Sequence, residues 1–365
     1  MTKIKEVVSF LDGVAPSSLQ EEYDNAGLIV GDFNEEVTGI LVCLDSVEET
    51  IEEAIKEGCN LIVAHHPIVF IGLKRFNGSN YVERTVMKAI QNKVAIYATH
   101  TNLDSMKDGV SWKIAEKLGL RNVRVLSAKG KRLLKLEAYV PKDFAAGVLE
   151  AMFSAGAGRI DNYSECSFSQ EGTGSFKANE DARPFVGAKG ERHLEKETKV
   201  EVVVGTDEKH KVIAALNKAH PYESVAYYLF SLENTHPTQG LGVIGDLAEE
   251  RETMLFLGQV KDIMKAGVVR YTSPLKTNVK HVAVCGGSGS FLLSTAKKAG
   301  ADIFLTADFK YHEFFDAEKQ IVIADIGHYE SEQYTSELLS EILSQKFSTF
   351  AVRISAINTN PVNYL

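Results

Sequence analysis

Six side chains of two kinds, imidazole and carboxylate, stand at or just beyond the ends of apolar segments. They are His65, His66, His100, Asp104, His328 and Glu332. Imidazole and carboxylate are ligands that zinc, iron, manganese and nickel all accept. A carboxylate can bridge two cations, so we expect Asp104 or Glu332 to join a pair of metals about 3.5 to 4 Å apart. The sequence therefore predicts a site for two divalent metal ions.

The adjacent pair His65 and His66 follows the apolar run LIVA. Adjacent residues on a strand point to opposite faces, which would keep both rings from one site. Because Pro67 comes next, we expect the strand to end here and each imidazole to bind a different ion. The alternative is that each histidine is an ordinary core or surface residue whose hydrogen bonds are satisfied without a metal ion. The spacing from His100 to Asp104 is also that of any i, i+4 polar pair on a helix.

The elements that position these residues begin with a strand, helix, strand pattern over residues 38–70. The first strand is predicted by GILVCLD and the second by NLIVAHHP. Ser46 and Glu49 form a capping box that predicts the start of the helix, and Gly58 predicts its end. Both histidines then lie where the second strand ends. Ligands of open α/β sheets bind at such strand ends.

A second copy of this pattern lies near residue 285. Three positions of the second copy match the first at one constant offset: Cys285 with Cys43, Ala296 with Ala54, and Gly300 with Gly58. In VAIYATHTNLD and VIADIGHYESE, His100 matches His328 and Asp104 matches Glu332. We interpret this as a diverged duplication, and predict two three-layer α/β halves related by a pseudo-two-fold axis.

Between the halves the pattern changes to strand, helix, polar hairpin, strand, helix and strand. That order is typical of a ferredoxin-like α+β module. We therefore divide the chain into a first half of the metal-binding domain at 1–131, an inserted domain at 132–235, and the second half at 236–365.

The bulk composition excludes several classes of protein. Lys and Arg number 40 against 49 Asp and Glu, a formal charge of −9, so no electrostatic attraction to nucleic acid or an anionic membrane is expected. The 4 cysteines form no CxxC pair, which disfavours a disulfide framework and a cysteine zinc site. The chain shows neither a signal peptide nor an apolar run of about 18 residues, so we expect a cytoplasmic protein.

Three further motifs have two interpretations each. CGGSGS at 285–290 is either a tight turn or a phosphate-binding loop at a helix start. Asp24, in DNAGLIVGD, is expected to serve a turn or a helix cap. Asp308 and His312, in LTADFKYHEFF, either contact a ligand or substrate or belong to an exposed helix start.

Taken in order, DNAGLIVG, AHHP, THTNLD, GGSG, LTADFKYHE and GHYESE resemble the GTP cyclohydrolase I type 2 homolog family, also called NIF-three-like. The inserted module, with HPYE at 220–223, is similar to the PII/CutA-like domain of the longer bacterial members. The resemblance implies a toroidal homohexamer with two divalent metals per chain. It also implies that the metal ligands are His65, His66, Asp104, His328 and Glu332. His100 then lies beside the metals as a proton carrier or as a support for a ligand.

The predicted function is that of a metal-dependent hydrolase acting on a nucleotide or related anionic substrate. The family name implies opening of the guanine ring of GTP. The first alternative is a non-catalytic hexameric metal-binding or regulatory protein whose insert senses a small molecule. The second is an adaptor that works by protein contact and needs no metal.

Overall fold

The computed structural model describes all 365 residues. The chain divides into two compact units, one formed by residues 1–127 and 238–365 and the other by residues 128–237. The sequence placed the divisions at 131/132 and 235/236. Each unit is described by itself below.

Eleven α-helices and fifteen β-strands make up the secondary structure. The helices are α1 Ile4–Val14, α2 Glu48–Lys56, α3 Tyr81–Gln91, α4 Thr101–Asp104, α5 Val110–Lys117, α6 Ala145–Ser154, α7 Lys209–Ala219, α8 Thr253–Ile263, α9 Leu293–Lys298, α10 His328–Glu332 and α11 Thr335–Lys346. The strands are β1 Gly27–Val30, β2 Gly39–Cys43, β3 Leu61–Ala64, β4 Ala95–Ala98, β5 Arg121–Ala128, β6 Leu133–Pro141, β7 Ser167–Lys177, β8 Arg192–Gly205, β9 Tyr227–Ser231, β10 Gly240–Glu252, β11 Arg270–Tyr271, β12 Asn278–Ser288, β13 Ile303–Ala307, β14 Val322–Asp325 and β15 Ala351–Ile354. Short 3₁₀ helices cover Ser17–Leu19, Lys142–Phe144, Ser290–Leu292 and Tyr311–Ala317. The α/β class predicted from the sequence is confirmed.

The first unit contains two sheets with related strand orders. One has the order β1-β4-β3-β2-β15, in which β2, β3, β4 and β15 are parallel and β1 pairs antiparallel with β4. The other has the order β11-β14-β13-β12-β10-β5, in which β12, β13 and β14 are parallel and β11 pairs antiparallel with β14. Every residue of β2, β3, β4, β13 and β14 is buried, as expected for parallel strands covered on both faces.

Alternate residues of each central strand enter different cores of this unit. Val42 and Val63 join a large core that also receives Val284 and Leu305 from the second sheet, together with residues of α1, α5, α8 and α11. Leu41 and Ile62 face the opposite side and pack with α2 and α3. The shared core fixes the two sheets against one another, and it thereby fixes the strand ends that carry the histidines.

The start of α2 differs from the prediction. The helix begins at Glu48, and its N-cap is Val47 rather than Ser46. The amide of Val47 donates to Thr50 Oγ1 at 2.9 Å, so Thr50 satisfies the helix entrance and the predicted capping box is wrong. Gly58 does follow the helix with a φ of +69°, a conformation that glycine adopts without steric cost.

The second unit has the element order βαββαβ, from β6 to β9. Its four strands form an antiparallel sheet in the order β7-β8-β6-β9. The inward residues of β6 and β8, among them Leu136 and Val202, pack with α6 and α7 in a core of their own. This unit therefore has a complete hydrophobic core without residues of the other unit.

None of the eleven helices combines the length and apolar character that crossing a membrane requires.

Candidate metal site

Strand ends from both sheets of the first unit converge on one cluster. His65 and His66 follow β3 directly, His100 lies between β4 and α4, and Asp104 is the last residue of α4. From the second sheet, β14 leads into α10, which carries His328 at its first position and Glu332 at its last. The structure thus brings together all six residues that the sequence singled out.

The chain bends after β3 in a way that releases the two adjacent rings from strand alternation. The amide of His66 donates to the carbonyl of Leu44 at 2.9 Å, and the amide of His65 lies 3.2 Å from the same oxygen. Their ring centroids are only 4.8 Å apart, with an interplanar angle of 47°. Both rings consequently reach the same cluster.

An oxygen atom holds the Nδ1 atom of each imidazole in the cluster. The four pairs are His65 Nδ1 with Thr99 O at 2.9 Å, His66 Nδ1 with Asp45 Oδ1 at 2.7 Å, His100 Nδ1 with Asp24 Oδ1 at 2.8 Å, and His328 Nδ1 with Asp308 Oδ2 at 2.7 Å. A carbonyl or carboxylate oxygen can only accept, so Nδ1 carries the proton in each ring. When such a ring is neutral, its Nε2 lone pair faces the cluster, the arrangement found around protein-bound metals.

The carboxylate of Glu332 lies among these Nε2 atoms. Its Oε2 is 2.9 Å from His66 Nε2 and 3.1 Å from His328 Nε2, and its Oε1 is 3.7 Å from His65 Nε2. Asp104 Oδ1 also lies 3.7 Å from His65 Nε2. Both Glu332 and His65 are almost fully buried. One carboxylate therefore faces three imidazoles.

Four atoms at the centre of the cluster are buried and have no hydrogen-bond partner. They are His65 Nε2, His66 Nε2, Asp104 Oδ1 and Glu332 Oε2. Although His66 Nε2 and Glu332 Oε2 are close, their geometry is not that of a hydrogen bond. Buried polar atoms are normally paired, and unpaired lone pairs directed at one point are what a cation would satisfy. The donor set fits one or more divalent metal ions.

The two carboxylates influence one another electrostatically. Burial and the charge of Glu332 raise the pKa of Asp104 to about 7. Burial raises the pKa of Glu332, but the contacts with His65, His328 and His66 outweigh burial. The pKa of Glu332 therefore lies well below its usual range. Two buried carboxylates in one site cannot both ionise cheaply without a compensating cation. The charges of the two carboxylates thus favour a bound cation, as the unpaired atoms do.

The imidazoles that contact carboxylates on both sides respond in the opposite direction. Burial lowers the pKa of His66, but Asp45 and Glu332 outweigh it and raise the pKa to about 10. Burial also lowers the pKa of His328. The contacts with Asp308 and Glu332 outweigh burial, so the pKa rises to about 11. Without a metal ion, these two imidazoles therefore hold protons, and a metal ion that binds to them must displace those protons.

The glycine-rich segment CGGSGS lies against Glu332. Gly287 has a φ of +60°, and a Cβ at this position would overlap Glu332 Oε1. The Gly287 amide donates to Ser331 Oγ at 2.9 Å. Because that N–H group is already bonded, it is not available to a phosphate. Residues 285–288 form the end of β12, where the pairing with β13 shifts register, so the segment is an irregular strand end rather than the predicted tight turn. The left-handed backbone of Gly287 leaves room for the carboxylate.

A cavity of about 420 Å³ opens beside the cluster. Its walls include His100, His328 and Glu332, together with the exposed aromatic rings of Tyr23, Phe70 and Phe291. The rings of Tyr23 and Phe70 stack with centroids 6.3 Å apart and an interplanar angle of 25°. A molecule in this cavity would contact planar apolar surface on one side and the cluster on the other.

Three aspartates that hold imidazoles were missed or undervalued from the sequence. The sequence pattern does not point to Asp45, it predicts a turn or cap for Asp24, and it allows two interpretations of Asp308. Asp24 accepts from the amide of Thr101 at 3.0 Å as well as from His100. Burial opposes its charge, but His100 and Thr101 lower the pKa of Asp24 to about 2. His312 is exposed and belongs to no group of potential metal ligands.

The chain has close relatives over almost its entire length. A family model described as Duf34/NIF3 (NGG1p interacting factor 3) matches residues 2–361. A Halalkalibacterium halodurans protein named GTP cyclohydrolase 1 type 2 homolog is 38% identical over 364 residues, which cover 98% of this chain and 98% of that protein. A Bacillus subtilis protein of the same name is 37% identical and covers 99% of this chain, with 98% of its own length matched.

A solved structure agrees with these sequence matches. The crystal structure of a Bacillus cereus protein related to NIF3 has a TM-score of 0.88 at 36% identity, covering 100% of this chain and 99% of that chain. The family resemblance predicted from the sequence motifs is thus confirmed. The chain belongs to the Duf34/NIF3 family.

Proposed function

We propose that this protein binds two divalent metal ions and is a metal-dependent hydrolase for a nucleotide or a related anionic substrate. The observation that carries the proposal is the convergence of unpaired Nε2 and carboxylate atoms from both sheets on one point. In this proposal His65, His66, Asp104, His328 and Glu332 hold the ions. Zinc, iron, manganese and nickel all suit these ligands.

Two ions supported by three neutral imidazoles and two carboxylates leave a net positive charge. Such a pair of ions supplies Lewis acidity and a water molecule of lowered pKa. The positive charge favours an anionic substrate, and Tyr23, Phe70 and Phe291 offer surfaces on which a nucleobase could stack. These features support a nucleotide, the class that the names of the relatives also suggest.

His100 is the proposed proton carrier. Its Nδ1 is held by Asp24, a carboxylate with a pKa of about 2, so Asp24 stays ionised and fixes the ring. The Nε2 atom is thereby left free to accept a proton from an attacking water and to return it to a leaving group. His100 also lines the cavity, so a substrate there would lie within its reach.

The proposal extends to the organisation of the chain. The related strand orders of the two sheets support duplicated three-layer halves about a pseudo-two-fold axis. Each sheet has a run of parallel strands, four in the first and three in the second, that ends beside an antiparallel edge strand. The βαββαβ order and antiparallel sheet of the second unit support an inserted ferredoxin-like, PII/CutA-like domain. The toroidal homohexamer rests on the family resemblance, and sedimentation of the purified protein is its test.

The second candidate is a non-catalytic metal-binding or regulatory protein with a small-molecule-sensing insert. It is favoured by one observation, a cavity of about 690 Å³ confined to the second unit. In this alternative the metals are held reversibly and no substrate is turned over.

One experiment separates the candidates. Purified protein loaded with zinc, manganese, iron or nickel is assayed against GTP and a phosphoester, with His65→Ala, Glu332→Ala and the exposed-residue control His312→Ala. The hydrolase proposal expects turnover in the wild type and in His312→Ala, and loss of both turnover and metal in the two ligand variants. Two bound metals per chain without turnover of any nucleotide or phosphoester would support the regulatory candidate instead. A cellular function that survives loss of the metals would point to an adaptor.

A further inference from the structure

The cavity of the second unit has the size of a small-molecule site. Its volume of about 690 Å³ lies within the range of about 300 to 1,000 Å³ that such sites occupy. It lies where β6, β7 and β8 meet the loop that follows α7, and all its lining residues belong to this unit. That loop contains HPYE at 220–223, a motif for which the proposed metal site has no use.

Aromatic side chains form much of the cavity wall. Tyr139, Phe176, Phe185 and Tyr222 line it. The ring centroid of Tyr222 lies 6.0 Å from that of Phe176 and 6.3 Å from that of Phe185. More than half of the Phe185 surface is exposed, at 53%, so the ring is available to a ligand. The negative face of such rings attracts a cation within about 6 Å of the centroid.

The charged residues of the wall favour a cation as well. Three carboxylates line the cavity, those of Asp181, Glu197 and Glu223, against one ammonium group, that of Lys177. The Tyr222 hydroxyl donates to Glu197 Oε1 at 3.3 Å. Burial and the charge of Glu197 raise the pKa of Tyr222, so the phenol remains a neutral donor. Glu197 keeps its second oxygen for another partner.

The residues around Tyr222 and Glu197 hold these two side chains in place. The Tyr222 amide donates to His220 Nδ1 at 3.0 Å, and His220 Nε2 donates to the carbonyl of Tyr139 at 3.0 Å. On the other side, Gly174 leaves room for the Glu197 carboxylate, because a Cβ there would overlap its oxygens. The aromatic wall and the carboxylate are thus positioned before any ligand arrives, which reduces the ordering cost of binding.

We propose that this cavity binds an organic cation, a protonated amine carried on an apolar body, with the ammonium group between Glu197 and the rings of Phe176 and Tyr222. The apolar body packs against Phe185 and Tyr139. The site belongs to the second unit alone, so it does not depend on the proposed metal chemistry.

The test uses the full-length, metal-loaded protein and isothermal titration calorimetry at neutral pH with three probes of similar size. These are 2-phenylethylamine, which is a cation, 2-phenylethanol, which is neutral, and phenylacetate, which is an anion. We expect the amine to bind at least about tenfold more tightly than the alcohol, because a charge-assisted hydrogen bond is gained. No binding of phenylacetate is expected.

Glu197→Gln is expected to weaken binding of the amine about tenfold and to leave binding of the alcohol unchanged. Glu201→Gln is the matched control, because Glu201 lies on the same strand and pairs with Lys199 outside the cavity. Phe176→Leu keeps an apolar wall but removes the ring face, and is expected to weaken the amine alone by about threefold. Equal affinity for amine and alcohol, absence of amine binding to the wild type, or unchanged binding in Glu197→Gln would overturn the proposal. Metal content measured on the same samples keeps this result separate from the fate of the hydrolase proposal.

Discussion

Asp45 Oδ1 lies 2.7 Å from His66 Nδ1 and directs the opposite nitrogen of that imidazole toward Glu332. Asp308 holds His328 in the same way, at the same distance of 2.7 Å, from the other sheet. Two aspartates, one beyond a strand of each sheet, thus orient two of the proposed ligands. Such supporting contacts fix the tautomer and raise the basicity of a metal-binding imidazole.

Replacing Asp45 tests this role directly. Asp45→Asn keeps an oxygen that can accept from His66 Nδ1 but removes the charge, so metal affinity should fall by about 10- to 100-fold. Competition with a chromogenic chelator measures the affinity. Asp316→Asn, at an exposed position, is the control and should bind metal like the wild type. Equal affinities of Asp45→Asn and the control would refute an orienting role for Asp45.

The C-terminal segment reaches the same aspartate. Thr359 Oγ1 donates to Asp45 Oδ2 at 2.6 Å. Thr359→Val preserves the shape and removes the donor, so we expect metal affinity to fall about three- to tenfold, less than in Asp45→Asn. In the Asp45→Asn background the same change should add little, since the two residues act through one contact. If the two losses of metal affinity added up in the double variant, Thr359 would not act through Asp45.

Substitution of Gly287 should be more damaging than substitution of Gly300, because only Gly287 lies against Glu332. Both glycines have a left-handed backbone, which strains an alanine. The Cβ of Gly287→Ala would also clash with Glu332, whereas that of Gly300→Ala, at a φ of +79°, meets no atom within 4 Å. Gly300→Ala should cost about 1 to 2 kcal/mol in free energy of unfolding and leave metal content intact. Gly287→Ala should cost more and also lose metal. Metal analysis and denaturant unfolding of both variants provide the comparison, and a full metal complement in Gly287→Ala would be evidence against the proposed position of Glu332.

The second unit should lose stability in mild acid. His220 is buried, its Nδ1 accepts from the Tyr222 amide, and burial lowers its pKa in the folded protein. The unfolded chain, with an ordinary histidine pKa of about 6.5, then binds more protons than the folded chain. The stabilisation of the second unit by neutral His220 is therefore complete above about pH 6.5. It is lost as the pH falls through the pKa of His220 in the folded protein.

Hydrogen exchange of the β8 amides as a function of pH measures this effect. In His220→Gln the fall in protection below about pH 6.5 should become shallower. An identical pH profile in the variant would assign the acid sensitivity to other groups.

The sequence predicted the strand-end positions of the histidines because their signals are local. The run LIVA followed by HHP defines β3 and its end with no reference to the rest of the fold. The roles of Asp24 and Asp45 were not predictable in this way, because each depends on a partner distant in the chain. Asp24 meets His100 across 76 positions, and Asp45 meets His66 across 21.

Local reasoning also failed where two local signals competed. Ser46 and Glu49 have the spacing of a capping box, yet Thr50 accepts the Val47 amide and α2 begins at Glu48. Residues 285–288 of CGGSGS end β12 instead of forming the predicted turn, and the contact of Gly287 with Glu332, a residue of α10, has no signature in the segment itself.

We propose that two metal ions share Glu332. The most direct measurement is a crystal structure of the metal-loaded protein, with anomalous scattering to count and locate the ions. We expect two ions per chain about 3.5 to 4 Å apart, with Glu332 between them and one of the adjacent histidines, His65 and His66, bound to each. A single ion, or two ions separated well beyond about 4 Å with no shared carboxylate, would contradict it.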